Sequence, residues 1–248
     1  MTRICLTIEY DGTRYGGWQI QPNADTIQEC VEKALEKVIG SHVRVYSSGR
    51  TDAGVHSVGM RAHFDTGTLL PLSAYREGVN RFLAADVAIR SAEVVDEHFH
   101  ARFDAVGKWY QYKVYRGKIR SPLQRNTAWH VPLKLDIESI VEAATFFVGR
   151  HDFSAFRSSS CVAKTATREI YAFDVIEQGD FLIFNVKGSG FLKNMVRVLV
   201  GTLVDVGSGQ FDTKSIQNLL ECGERKKAGR TAPACGLCLM DVWYEKNM

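Results

Sequence analysis

Arg3-Ile4-Cys5-Leu6-Thr7-Ile8-Glu9 alternates without a break: Ile4, Leu6 and Ile8 point one way, Cys5, Thr7 and Glu9 the other. A period of two marks a strand buried on one face. Tyr10-Asp11-Gly12 ends the run. The next signal has the other period. Thr26-Ile27-Gln28-Glu29 reads as a capping box, and Ile27, Cys30, Val31, Ala34, Leu35, Val38 and Ile39 then recur at helical spacing until Gly40. Strands are predicted over 43–48 and 58–65. A helix is predicted over 73–83, with Tyr75, Val79, Phe82 and Leu83 on one face, and a strand over 87–95. The first half is therefore β-α-β-β-α-β.

The second half repeats that order. Residues 108–116 read as a strand. Asp136 caps a helix running through Val148, with Ile137, Ile140, Val141, Ala144 and Phe147 inward and Gly149 closing it. Residues 168–177 and 181–187 form a predicted hairpin across Gln178-Gly179-Asp180. An apolar helix over 191–206, an added helix over 211–222 and a last strand over 237–244 complete the set. Both halves match the split pattern of ferredoxin-like and RRM-like domains. The reading is an α+β fold of two such halves, residues 1–105 and 106–248, with antiparallel sheets joined around a central cleft. The predicted strands carry no RRM-type aromatic signature.

The chain has 248 residues, 45% of them apolar and 24% charged. That excludes a disordered chain, a collagen and a disulfide miniprotein. No apolar run approaches the roughly 20 residues of a membrane helix, and Met1-Thr2-Arg3-Ile4 enters the first strand without a signal peptide. Six scattered cysteines read as reduced thiols of a cytoplasmic protein. The net charge of +3 is unevenly spread: 11 Lys/Arg against 14 Asp/Glu over 1–105, and 20 against 14 over 106–248. Residues 106–135 hold seven basic side chains and no acid, interleaved with Trp109, Tyr110, Tyr112, Tyr115 and Trp129. Cations track phosphates and aromatic faces stack on bases, so the stretch suits a nucleic acid; a solvated strand and loop is the plainer reading.

The densest chemistry lies in Ser47-Ser48-Gly49-Arg50-Thr51-Asp52-Ala53-Gly54-Val55-His56, between two predicted strands. Two glycines bracket Arg50, Thr51 and Asp52 and let the backbone turn sharply beside a ligand. The segment is either a tight surface turn or a site. Other candidates are weaker. His98 and His100 alternate near a strand end and can share a face. Cys235-Gly236-Leu237-Cys238 lacks a second pair at zinc-finger spacing. Gly188-Ser189-Gly190 precedes a helix and can be a phosphate loop or a plain turn.

These residues resemble the TruA-like pseudouridine synthases over essentially the whole chain. The resemblance rests on Tyr10-Asp11-Gly12, Gly17-Trp18-Gln19, Thr26-Ile27-Gln28, the run from Gly49 to His56, Phe99-His100-Ala101-Arg102, Lys108-Trp109-Tyr110-Gln111-Tyr112, His151-Asp152-Phe153, Met195-Val196-Arg197 and residues 234–239. It implies isomerisation of uridine to pseudouridine in the anticodon stem-loop of tRNA, positions 38–40, by a homodimer. It makes Asp52 the catalytic aspartate and Arg197 its basic partner. The resemblance further implies that Tyr110 packs on the target base, that Arg50 helps hold the flipped nucleotide open, and that Arg168 falls in the RNA-binding region. Lys164 stands where some members carry arginine, and Lys193-Asn194 where many carry an aromatic residue or histidine.

The chemistry fits those residue types. The isomerisation breaks a C–N bond and rejoins the base through carbon, with no net redox change, so no cofactor and no metal is expected. One carboxylate can attack base or ribose or remove a sugar proton. A nearby guanidinium keeps it ionised and oriented. A base inside a stem must be flipped out to be reached. Two alternatives are an inert RNA-binding protein on the same fold, against which Asp52, Arg50 and Tyr110 all argue, and a glycoside hydrolase, which needs a second carboxylate about 5–10 Å away.

Overall fold

The computed structural model describes residues 1–245. In chain order the elements are β1 (Thr2–Tyr10), α1 (Ile27–Ile39), β2 (Tyr46–Ser47), β3 (His56–Thr66), β4 (Val87–Val95), β5 (Gly107–Tyr115), β6 (Trp129–His130), α2 (Ile137–Thr145), β7 (Gly149–Asp152), β8 (Thr167–Gln178), β9 (Phe181–Gly188), α3 (Met195–Gly207), α4 (Ser215–Cys222) and β10 (Leu237–Trp243). The fold is mixed α+β with mostly antiparallel strand pairing. Two compact units are formed, residues 1–106 together with the segment from Cys238, and residues 107–237.

In the first unit β1 lies between β3 and β4, antiparallel to both, with Leu6 opposite Ala62 and Ala92. β2 adds antiparallel to β3, and β10 adds to β3 in parallel through Cys238–His56 and Leu239–Ser57. Ile4, Leu6 and Ile8 are enclosed as the alternation predicts, but Cys5 on the opposite face is buried too, while Thr7 and Glu9 are partly open. α1 spans the predicted residues and buries Ile27, Val31, Ala34 and Leu35. Burial of Ile27, Val31 and Leu35 contributes roughly 1.5–3 kcal/mol each. The capping box does not form. Thr26 is the N-cap but makes no side-chain cap bond, and Glu29 pairs with Lys33 at 2.6 Å. The Gly17 and Trp18 carbonyls take the N–H groups of Ile27 and Gln28 instead, at 3.2 and 3.0 Å.

The helix predicted over 73–83 departs from its sequence pattern. Residues 74–78 are wound as a π-helix and the helical stretch ends at Asn80. Tyr75 and Val79 are buried, while Phe82 is 56% exposed. Of the strand predicted over 43–48, only Tyr46 and Ser47 pair.

In the second unit β5 pairs with β9, β9 with β8 and β8 with β7, all antiparallel, and β6 pairs with β5 in parallel. The β8–β9 hairpin turns on Gly179 at φ 58°. Asp136 caps α2 by accepting from the Ser139 N–H. The helix ends at Thr145 rather than Val148, and Val141, predicted inward, is exposed. α3 starts at Met195, four residues later than predicted, because Asn194 takes a left-handed backbone. Every residue of α3 except Arg197 is buried. α4 likewise starts at Ser215 rather than Phe211. β6 and β7 are too short to leave a period in the sequence and are absent from its reading. The last strand, read as part of the second half, pairs with β3 of the first unit, and residues 246–248 lie outside the described residues.

Candidate active site

The loop between β2 and β3 is held from below. The Ser48 N–H donates to the Arg61 carbonyl at 2.7 Å, and Ser47 Oγ donates to the Gly49 carbonyl at 2.8 Å. Thr51 is the anchor. It is buried, its Oγ1 is 2.8 Å from the Tyr10 hydroxyl, and its carbonyl accepts from the Trp18 N–H at 3.1 Å. With Thr51 turned inward, Arg50 is left exposed and Asp52 half-buried. The Asp52 carbonyl accepts from the Val55 N–H at 3.1 Å across a turn in which Gly54 has φ +77°. The Gly54 N–H donates to the Tyr15 carbonyl at 3.4 Å.

Two glycines of the facing segment make this approach possible. A Cβ on Gly12 would lie 2.0 Å from the Val55 carbonyl oxygen, and one on Gly17, at φ +102°, 2.6 Å from that of Thr51. Gln28 continues the assembly. Its Nε2 donates to Glu32 and to the Val45 carbonyl, and its Oε1 accepts from the Ile20 N–H. His56 Nδ1 accepts from the Gly12 N–H at 3.1 Å and lies 3.1 Å from Asp11 Oδ1. Burial acts to raise the Asp11 carboxyl pKa, but the hydrogen bonds from the Thr13 N–H and hydroxyl outweigh it and hold it below the usual range. Tyr10-Asp11-Gly12, Gly17-Trp18, Thr26-Ile27-Gln28 and the run from Gly49 to His56 thus form one assembly around Asp52.

The other candidates lie in the second unit. Tyr110 on β5 is buried and meets Phe191 edge-on, ring centroids 5.2 Å apart. Its neighbours Trp109 and Gln111 both donate to Asn185 Oδ1, at 3.0 and 3.1 Å. α3 packs on β5 and carries Arg197. Arg197 Nε donates to the Ala232 carbonyl at 2.7 Å and Nη1 to Asn194 Oδ1 at 3.0 Å. Arg168 on β8 is half-buried, and its Nη1 donates to the carbonyls of Thr165 and Thr167. Burial lowers its pKa. Lys164 is exposed.

The sequence matches the family model described as tRNA pseudouridine synthase over residues 6–104 and 143–245. The chain belongs to the tRNA pseudouridine synthase family. It is similar to proteins named tRNA pseudouridine synthase A from Syntrophotalea carbinolica and Pelobacter propionicus, each 53% identical over 244 residues, covering 98% of this chain and 97% and 100% of theirs. The protein of that name from Myxococcus xanthus is 49% identical over 98% of this chain and 92% of its own.

Within this family member the secondary candidates separate. His98 and His100 do not share a strand face, because β4 ends at Val95 and both fall in the following turn. His100 Nδ1 accepts from the Arg102 N–H, and its ring packs on His63 and Phe103. Among the described residues no group of three or more His, Cys, Asp or Glu is placed to hold a metal ion. Gly188-Ser189-Gly190 does not abut a helix; Ser189 hydrogen-bonds to Glu169 and α3 begins at Met195. No helix among the described residues is long and apolar enough to cross a membrane. The unit boundaries sharpen the charge split to 12 Lys/Arg against 16 Asp/Glu in the first unit and 19 against 12 in the second. Sequence reasoning missed Thr51, Phe191 and Asn194. Only Asn194 left a signal, an amide that tolerates left-handed backbone just before an apolar helical run.

Proposed function

We propose that this chain isomerises uridine to pseudouridine in tRNA with Asp52 as its catalytic carboxylate. What carries the reading is the Asp52 loop. Thr51 is clamped by a side-chain and a main-chain hydrogen bond, so the Arg50 and Asp52 side chains flanking it project from a fixed backbone. Such preorganisation is what a reaction needs when one group must meet one atom. In the reaction the bond from uracil N1 to ribose C1′ breaks, the base turns, C5 bonds to C1′, and the proton on C5 is lost as N1 gains one. Attack on base, attack on ribose and removal of a sugar proton all require an ionised carboxylate.

Arg197 is proposed as the basic partner that keeps Asp52 ionised. It is the one residue of α3 that is not buried, on a helix otherwise enclosed. Tyr110 is proposed to pack on the flipped uracil; its ring is already braced edge-on by Phe191, so stacking costs little further ordering. Arg50, exposed beside Asp52, is proposed to hold the flipped nucleotide open, and Arg168 to contact phosphate in the basic second unit. The target is proposed to be positions 38–40 of the anticodon stem-loop, and the working form a cytoplasmic homodimer without cofactor.

The test is base-resolved pseudouridine mapping of unmodified tRNA transcripts after incubation with the purified protein. Conversion at 38–40 is expected. Conversion elsewhere overturns the positional assignment, and none at all overturns the activity.

A further inference from the structure

Asn194 is the only non-glycine residue at positive φ among the described residues, at φ 62°, ψ 3°. Few L-residues visit that region, and asparagine is one of the few that does so as a single residue, so the position narrows the choice of side chain. The cap explanation fails, because Asn194 is the N-cap of α3 yet its side chain makes no cap hydrogen bond to the helix backbone. Its Oδ1 points to Arg197 Nη1 at 3.0 Å instead. Arg197 Nε donates to the Ala232 carbonyl at 2.7 Å, and the Ala232 N–H returns to the Arg197 carbonyl at 3.0 Å.

The 229–232 segment that supplies Ala232 is itself locked to α3. The Gly229 N–H donates to Thr202 Oγ1 at 3.1 Å and the Arg230 N–H to Asp205 Oδ2 at 3.2 Å. A Cβ on Gly201 would lie 1.9 Å from the Arg230 carbonyl oxygen, so helix and segment are in direct backbone contact. The planar guanidinium is therefore bonded at two different nitrogens, Nε to a backbone carbonyl and Nη1 to the Asn194 amide oxygen. Two such bonds fix the plane as well as the position of the group, which an ammonium in its place would not require.

We propose that Asn194 is a positioning residue for the isomerisation: its left-handed backbone aims Oδ1 at Arg197 and sets the plane of the guanidinium. The inference rests on the assignment of Arg197 above and adds the residue through which that arginine is oriented. Asn194 is assigned no contact with substrate or carboxylate. It acts through Arg197 alone.

The experiment is a double-mutant cycle read by single-turnover pseudouridine formation at saturating enzyme. Asn194→Gly keeps the left-handed backbone without strain and removes Oδ1. Arg197→Lys keeps the charge and removes the plane. Asn194→Gly is expected to slow the step about 10- to 100-fold, as misplacement of a working group does. Its thermal midpoint should be unchanged or higher, and its tRNA Kd within about threefold of wild type, since binding rests mainly on phosphate contacts. Arg197→Lys alone should slow the step comparably. Added to Arg197→Lys, Asn194→Gly should cost less than about threefold more, because two groups in one interaction are not additive.

A wild-type rate for Asn194→Gly, or a full additive loss in the cycle, overturns the positioning role. So does a wild-type rate for Arg197→Lys, which would make the plane irrelevant. A wild-type rate for Arg197→Ala overturns the Arg197 assignment itself, separately from the role of Asn194.

Discussion

A methyl group on Gly17 would act on both the stability of the first unit and the placement of Asp52. Gly17 sits at φ +102°, outside the region open to L-residues at low cost. Forcing alanine there costs roughly 1–3 kcal/mol in backbone strain. The new Cβ would also lie 2.6 Å from the Thr51 carbonyl oxygen, 3.1 Å from the Asp52 carbonyl carbon and 3.2 Å from the Ala53 nitrogen, all backbone atoms that cannot rotate away. Relief has to move the loop, at the expense of the Trp18 N–H bond to the Thr51 carbonyl, and a hydrogen bond is worth about 1 kcal/mol net. Gly17→Ala should therefore destabilise by about 2–4 kcal/mol. Gly67, whose Cβ would meet nothing within 4 Å, is the control, and Gly67→Ala should stay within about 0.5 kcal/mol of wild type. Urea unfolding of the three proteins compares them. At a urea concentration where Gly17→Ala remains folded, its single-turnover rate should still be about 100-fold low, because the loop carrying Asp52 has shifted. A Gly17→Ala midpoint indistinguishable from that of Gly67→Ala would refute the claim that this approach holds the loop.

Binding of tRNA should fall steeply with salt, because the second unit carries 19 Lys/Arg against 12 Asp/Glu. Arg168→Ala should weaken it about evenly across tRNAs and flatten the slope of log affinity on log salt by about 1; an unchanged slope would remove Arg168 from the phosphate contacts. His63 is enclosed, with its Nδ1 accepting from the Ala101 N–H at 3.2 Å. Burial, then the His100 and Arg3 charges, push its pKa down to about 4. The unfolded chain takes up that proton near pH 6.5 and the folded chain only near 4. Stability from this group is therefore full above pH 6.5 and declines as pH falls to 4, by about 3 kcal/mol in all, because each pH unit between the two values is worth about 1.36 kcal/mol. Urea midpoints across that range should fall less steeply for His63→Gln than for wild type.

Much of the fold was legible because burial follows period. α1 and β4 have the bounds read from their alternation and spacing. What failed was local. Thr26 and Glu29 have the right spacing for a capping box, but the Glu29 carboxylate pairs with Lys33, and the Gly17 and Trp18 carbonyls take the first N–H groups of the helix. The helical stretch around the π-turn at 74–78 stopped at Asn80, which left Phe82 beyond its end and exposed. Asn194 delayed α3 because one left-handed residue interrupts a run whose hydrophobicity continues on both sides of it. At the site, the loop from Gly49 to His56 stood out by its density of Arg, Asp and His. Thr51, the residue that fixes it, did not, because an anchor's role depends on Tyr10 and Trp18, some 30–40 positions earlier in the chain.

The role of Asp52 is tested most directly by single-turnover pseudouridine formation with Asp52→Asn at saturating enzyme. Asparagine keeps the shape and the turn but is neither an anionic nucleophile nor a base. The rate should fall by about three orders of magnitude or more. The urea midpoint should not be lowered, and tRNA affinity should stay within about tenfold of wild type, since affinity comes mostly from phosphate contacts. A rate within about tenfold of wild type would contradict the catalytic assignment and reduce Asp52 to a turn residue.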